Sequence, residues 1–182
     1  MAVRKKQIRE LVESLLDRHN VNRGSVPVQK IARAFKIEIK LDQVDDDLSG
    51  FLVRDKKAGR TVIGANKAHH ENRQRFTIAH ELGHYLLHEG ETVHLDDQRG
   101  AFTINLRNSD SGTGKDDSER EANLFAAELL MPTRFLEEEL NGKNLDLLED
   151  NNFLNSLAKK YQVSVQALTF RLANLGYIEP LV

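Results

Sequence analysis

Along residues 1–40 the apolar positions follow two periods in succession. Ile8, Leu11, Val12, Leu15 and Leu16 recur at helical spacing, so residues 3–19 are expected to form a helix with one apolar stripe. Asn22, Gly24 and Ser25 break that pattern. A second, short helix is expected around Val28, Ile31, Ala32 and Phe35, with Pro27 in its first turn. From Ile37 the period drops to two: Ile37, Ile39 and Leu41 alternate with Glu38, Lys40 and Asp42, as in a strand with one buried face. Further strands are expected over 48–54 and 61–65, joined by the polar turn 55–59. The result is a small three-stranded sheet behind two helices.

Residues 73–88 read as a long helix, with Phe76, Ala79, Gly83, Leu86 and Leu87 on its apolar side. Residues 89–117 depart from any period. They hold four glycines, many Asp and Ser residues, and one apolar island at Phe102, Ile104 and Leu106, so they are expected to form a mobile loop with one strand. Long loops in compact domains are more often functional than accidental. Helix resumes near 118 and stops near Pro132, and a polar break over 141–144 precedes a last helical pair. No internal repeat or low-complexity segment is present. The element order predicts an α+β class, with one domain over 1–140 and a C-terminal helical region over 141–182 packed on it.

A chain of 182 residues fits one domain with a small appendage. At 40% hydrophobic and 30% charged residues, the composition is that of an ordinary globular protein. The absence of cysteine excludes disulfides, thiolate metal sites and cysteine nucleophiles. Any transition metal would therefore be held by His, Asp, Glu or water. The first residues lack the continuous apolar run of a signal peptide, and no stretch reaches the length of a membrane span, so a cytoplasmic protein with no membrane partner is expected. Net charge is −2, yet residues 1–40 carry ten Lys/Arg against four Asp/Glu. That basic segment is read as the solvated faces of two helices rather than as a nucleic-acid surface.

The candidate chemistry lies in His80-Glu81-x-x-His84, inside the segment whose periodicity independently predicts a helix. Two histidines four apart stand one turn above each other, so their ring nitrogens can converge on one zinc ion. Glu81, beside the first ligand, is placed to touch a water without binding the metal. A catalytic zinc takes three protein ligands, so a third must come from elsewhere. The extended form HExxHxxGxxH is absent: Leu87 stands where its glycine would be and Gly90 where its third histidine would be. His88 lies about 12 Å up the helix from His80, too far for joint coordination, and is expected on the surface. His94 falls in the loop, where it could reach the site but is expected to be solvated.

Glu119 and Asn123, four apart at the start of the next helix, suit the remaining roles. The carboxylate can bind metal while the amide oxygen accepts the outer N–H of a ligand histidine. Glu121 then completes a capping box with Ser118 as N-cap. The assignment stays open, because Asp116 could cap instead and place Glu119 in the box, leaving Glu121 as the ligand.

These segments resemble a known family. Arg75-Phe-Thr-Ile-Ala-His80-Glu81-Leu-Gly-His84, followed by Glu119-x-x-Ala122-Asn123-x-Phe125-Ala126-Ala127-x-Leu129-Leu130-Met131-Pro132, is similar to the ImmA/IrrE zinc metallopeptidases. The resemblance extends loosely to Ile63, Gly64 and Asn66 upstream and to the last helices downstream. It implies a gluzincin-like fold in which one helix supplies both histidines and the following helix supplies a glutamate. It also implies an endopeptidase that cuts a partner repressor of the helix-turn-helix type, relieving repression of stress or mobile-element genes. Some members carry an additional sensor domain, for which this chain is expected to be too short.

The mechanism expected on these residues has one zinc ion on His80, His84 and Glu119, with Glu81 carrying a proton from water to the leaving amine. An oxyanion donor remains open among Tyr85, His94, Tyr161 and Tyr177. Ile63, Gly64 and Asn66 are expected on a sheet edge to which an extended substrate adds as a further strand. A rival reading takes residues 157–176 as a helix-turn-helix, with Val163 in the turn, Ser164 as N-cap of the second helix and Gly176 at its end. The chain would then be a DNA-binding or partner-binding regulator without proteolysis. Residues 146–182 hold three Lys/Arg against four Asp/Glu, so direct nucleic-acid binding is not expected. A degenerate peptidase that only binds its partner is a third reading.

Overall fold

The computed structural model describes residues 3–43, 48–88, 93–96, 114–147 and 149–178, with backbone alone at 96 and 114–116. The elements run α1 (Lys5–Arg18), α2 (Val28–Ala34), β1 (Ile37–Asp42), β2 (Gly50–Asp55), β3 (Arg60–Asn66), α3 (Glu71–Leu87), β4 (Val93–Asp96), α4 (Gly114–Leu130), α5 (Thr133–Leu140), α6 (Asn151–Tyr161) and α7 (Val165–Asn174). This is the mixed α and β class that the patterning predicts.

Helix α3 is the centre of the molecule. Every residue from Phe76 to His84 is buried, because β2 and β3 cover one side and α4 the other. A helix buried all round has no strong apolar stripe, which is why its periodicity is weaker than that of α1. Gly83 lets α4 close on α3: a Cβ there would stand 3.1 Å from Phe125 Cδ1 and 3.2 Å from Ala122 Cα. In turn α1 buries Ile8, Val12, Leu15 and Leu16 and packs on α4.

The sheet has four strands in the order β1-β3-β2-β4. Strand β1 runs parallel to β3, while β2 is antiparallel to both β3 and β4. Two expectations are corrected here. The three-stranded sheet gains β4, a four-residue strand in a stretch read as loop, too short among polar neighbours to show a period. And β3 is internal: Ile63 pairs with Ile39 and Leu52, and Gly64 with Lys40 and Phe51. With both sides of β3 already hydrogen-bonded, Ile63, Gly64 and Asn66 cannot receive a substrate strand. The Phe51 ring fills the space beside Gly64, where a Cβ would meet it at 2.2 Å, and Asn66 is buried, donating from Nδ2 to Leu48 O. The expected strand at Phe102, Ile104 and Leu106, and most of the 89–117 loop, lie outside the described residues.

Helix α4 begins at Gly114, so Ser118 is inside it rather than at its N-cap. The expected capping box of Ser118 and Glu121 is therefore not formed, and position 116 likewise lies within the helix. At the C-terminal end, Ser164 caps α7 as expected, accepting from Ala167 N at 3.1 Å, and Gly176 takes a left-handed φ of +81°. Buried charge ties these helices to the rest. Arg171 on α7 donates to Glu128 on α4 and, at 3.2 Å, to Met131 O, while Arg75 on α3 reaches Val26 O at 2.9 Å and Gln162 O at 3.3 Å.

Candidate metal centre

The close approach of α3 and α4 sets the side chains of the HExxH turn against the first turns of α4. His80 and His84 are buried, and both rings point Nε2 inward, 3.0 Å apart. The Glu119 carboxylate closes the triangle, with Oε2 at 3.4 Å from His80 Nε2 and Oε1 at 3.3 Å from His84 Nε2. These three residues are the one group of ligating side chains found among the described residues whose donor atoms lie within 4.8 Å of one another.

The spacing can be tested against zinc. Ligand bonds of 2.0–2.1 Å in a tetrahedron place neighbouring donors about 3.3 Å apart, close to the three separations observed. The donor chemistry agrees as well. His80 Nδ1 lies 3.0 Å from Asn123 Oδ1, an acceptor only, so the hydrogen is on Nδ1 and the Nε2 lone pair faces inward. Asn123 thus stands where the i, i+4 spacing with Glu119 predicts. Burial pulls the His84 pKa down to about 4, which favours the neutral, ligating imidazole. Burial raises the Glu119 carboxyl, but the imidazoles of His80, His84 and His94 that face it outweigh that and hold the group well below the ordinary carboxylate range.

Glu81 is fully buried on the same turn, where its Oε2 accepts from His94 Nδ1 at 3.2 Å. His94 Nε2 donates to Glu119 Oε1 at 2.9 Å, and the ring stacks on His84 with centroids 3.8 Å apart. Burial lowers the His94 pKa, yet the two carboxylates outweigh it and lift the value to about 10. His94 is therefore a buried part of this cluster, not a solvated loop residue. The strand turns His94 inward and leaves its apolar neighbours out, Val93 50% and Leu95 59% exposed, the reverse of what their hydrophobicity suggests. Of the other candidate oxyanion donors, Tyr161 is buried in the core, and Tyr85 packs edge-on against Phe35 with centroids 6.2 Å apart.

His88 and Glu121 also differ from expectation. His88 caps the C-terminal end of α3 with its side chain 21% exposed, its Nδ1 3.2 Å from His84 Nδ1 and its Nε2 donating to Glu121 Oε2 at 3.1 Å. Arg4, preceding α1, clamps Glu121 from the other side and holds that carboxyl down at about 2, against the effect of burial. Arg54 on β2 fixes the same corner, donating to His84 O at 2.8 Å and His88 O at 2.9 Å.

Known proteins resemble this chain in sequence and in fold. Residues 32–173 match the family described as the IrrE N-terminal-like domain. The metallopeptidase ImmA of Bacillus subtilis (strain 168) is 33% identical over 135 residues, covering 74% of this chain and 69% of that protein. A solved structure of a Mycobacterium tuberculosis transcriptional regulator superposes with a TM-score of 0.62 at 16% identity, over 92% of this chain and 46% of that one. This chain thus spans about half of that structure's length, and the likeness is one of fold.

Proposed function

We propose, from the premise that this chain belongs to the ImmA/IrrE family of metallopeptidases, that it is a zinc-dependent endopeptidase acting on a protein substrate. His80, His84 and Glu119 are the residues that would hold one zinc ion. The observation that carries the reading is the inward convergence of two imidazoles and a carboxylate within 4.8 Å, with the Glu81 carboxylate buried on the same helical turn. When bound, zinc supplies Lewis acidity, bringing the pKa of a water to about 7 and polarising a carbonyl.

The chain's own groups do the rest. The Glu81 carboxylate takes the proton that water gives up on attack and returns it to the departing amine nitrogen. Asn123 fixes the His80 ring, and Glu119 lies beside both imidazoles, so that the residues that would hold the metal and the neighbouring Glu81 keep one orientation. Substrate recognition is proposed to need an extended, accessible segment of the target. The target proposed is a helix-turn-helix repressor whose cleavage relieves repression of stress or mobile-element genes.

The peptidase part is assigned to residues 1–140 and a packed, helix-turn-helix-like region to 141–182, within a gluzincin-like architecture. Among the described residues no helix is long and apolar enough to cross a membrane, and a cytoplasmic site of action is proposed. The test is co-expression with a candidate helix-turn-helix repressor from the same genome, using the chain as it stands and its Glu81→Gln variant. Discrete fragments from the first alone support the reading; fragments from both or from neither contradict it.

A further inference from the structure

We infer that Arg4, Glu121 and His88 form a hydrogen-bonded relay that positions His84 and sets the metal affinity of the site. The inference rests on the reading of His80, His84 and Glu119 as the metal ligands. Each candidate ligand histidine has one ring nitrogen facing inward and one facing outward. For His80 the outward nitrogen is satisfied by Asn123, whose oxygen is 3.0 Å away. For His84, among the described residues, Nδ1 faces another imidazole nitrogen, His88 Nδ1, at 3.2 Å. Two nitrogens at that distance form a bond only when one carries a hydrogen and the other a lone pair.

One assignment satisfies every link. With the His84 Nε2 lone pair directed inward, His84 Nδ1–H donates to His88 Nδ1. The hydrogen of His88 is then on Nε2, which faces Glu121 Oε2 at 3.1 Å and donates to it. Glu121 is held as a carboxylate by four bonds from Arg4: Nη2 at 2.6 Å and Nε at 3.2 Å to Oε2, with Nε at 3.0 Å and the backbone N at 2.9 Å to Oε1. Arg4 Nη2 also donates to Leu87 O at 3.1 Å, which fixes the end of α3 that carries His88.

The consequence is directional. A carboxylate acting through an imidazole raises the basicity of the ligand beyond it and locks its ring, as partners of metal-bound histidines do elsewhere. Arg4 lies outside the matched residues 32–173. A segment preceding the family domain therefore reaches the metal centre through three side chains.

The test is zinc(II) affinity of the full chain, measured by competition with a chromophoric chelator, for the unaltered protein, His88→Leu, His88→Gln and Arg4→Met. His88→Leu removes the acceptor at similar size and is expected to weaken zinc binding about 10–100-fold. His88→Gln restores an acceptor oxygen and is expected to recover most of that loss, and Arg4→Met to lose affinity in the same direction by less than about tenfold. Far-UV circular dichroism of the zinc-free variants checks that all four are folded. Equal affinity in His88→Leu, or equal losses in His88→Leu and His88→Gln, overturns the relay while leaving the site reading intact. No zinc binding by the unaltered chain overturns both.

Discussion

His94 Nδ1 lies 3.2 Å from Glu81 Oε2, so a residue from the sheet holds the proposed proton carrier on α3. The same ring donates to Glu119 at 2.9 Å and thereby fixes two carboxylates of one site relative to each other. His94→Gln is expected to retain one zinc and to lower cleavage about 10–100-fold, chiefly in kcat. Metal analysis beside single-turnover cleavage checks this; unchanged cleavage would remove His94 from the site.

Glu119 and Glu121, two residues apart on α4, face different partners: one meets the two imidazoles and the other meets Arg4 and His88. Glu119→Gln is expected to abolish stoichiometric zinc in the purified protein. Glu121→Gln is expected to retain the ion, with weaker affinity. The opposite ranking, read by elemental analysis after dialysis, would reinstate Glu121 as the ligand.

Glu128 and Arg171 form a buried ion pair, 2% and 3% exposed, that fastens α7 to α4. Glu128→Gln leaves the guanidinium uncompensated and is expected to cost about 3–5 kcal/mol at pH 7. Burial raises the Glu128 carboxyl, but Arg171 and Thr133 outweigh it and hold it below its ordinary 4.5. A depressed folded value means that the carboxylate's contribution is complete above pH 4.5 and fades as pH falls below it. Urea unfolding across pH 7 to 3 is therefore expected to show the two proteins converging at the acid end, and a constant gap would contradict the assignment.

Arg171 also bears on nucleic-acid binding. It is one of three Lys/Arg in residues 146–182, and its guanidinium is turned into the core rather than toward a duplex. The chain is expected to show no salt-dependent binding to duplex DNA at micromolar concentrations. A steep loss of affinity with rising salt, measured by fluorescence anisotropy, would restore the helix-turn-helix reading.

What was legible in the sequence follows from period and spacing. Ile8, Val12, Leu15 and Leu16 are buried as their spacing predicts, Ser164 caps α7, and His80, His84, Glu119 and Asn123 gather as i, i+4 geometry requires. What was hidden depends on tertiary neighbours. Nothing local to β3 shows that β1 and β2 occupy both its sides, because a buried edge strand and a central strand share one apolar pattern. A four-residue β4 is too short to show a period, and so His94 looked like a loop residue. His88 and Glu121 looked superficial because Arg4, more than 80 residues from either, completes their surroundings.

The proposed chemistry needs one ion at one place. Crystals grown with zinc and measured at the zinc absorption edge are predicted to show a single strong anomalous peak about 2.0–2.2 Å from His80 Nε2, His84 Nε2 and a Glu119 carboxylate oxygen. A map with no peak there, or with Glu119 turned away and the ion held by other side chains, would contradict it.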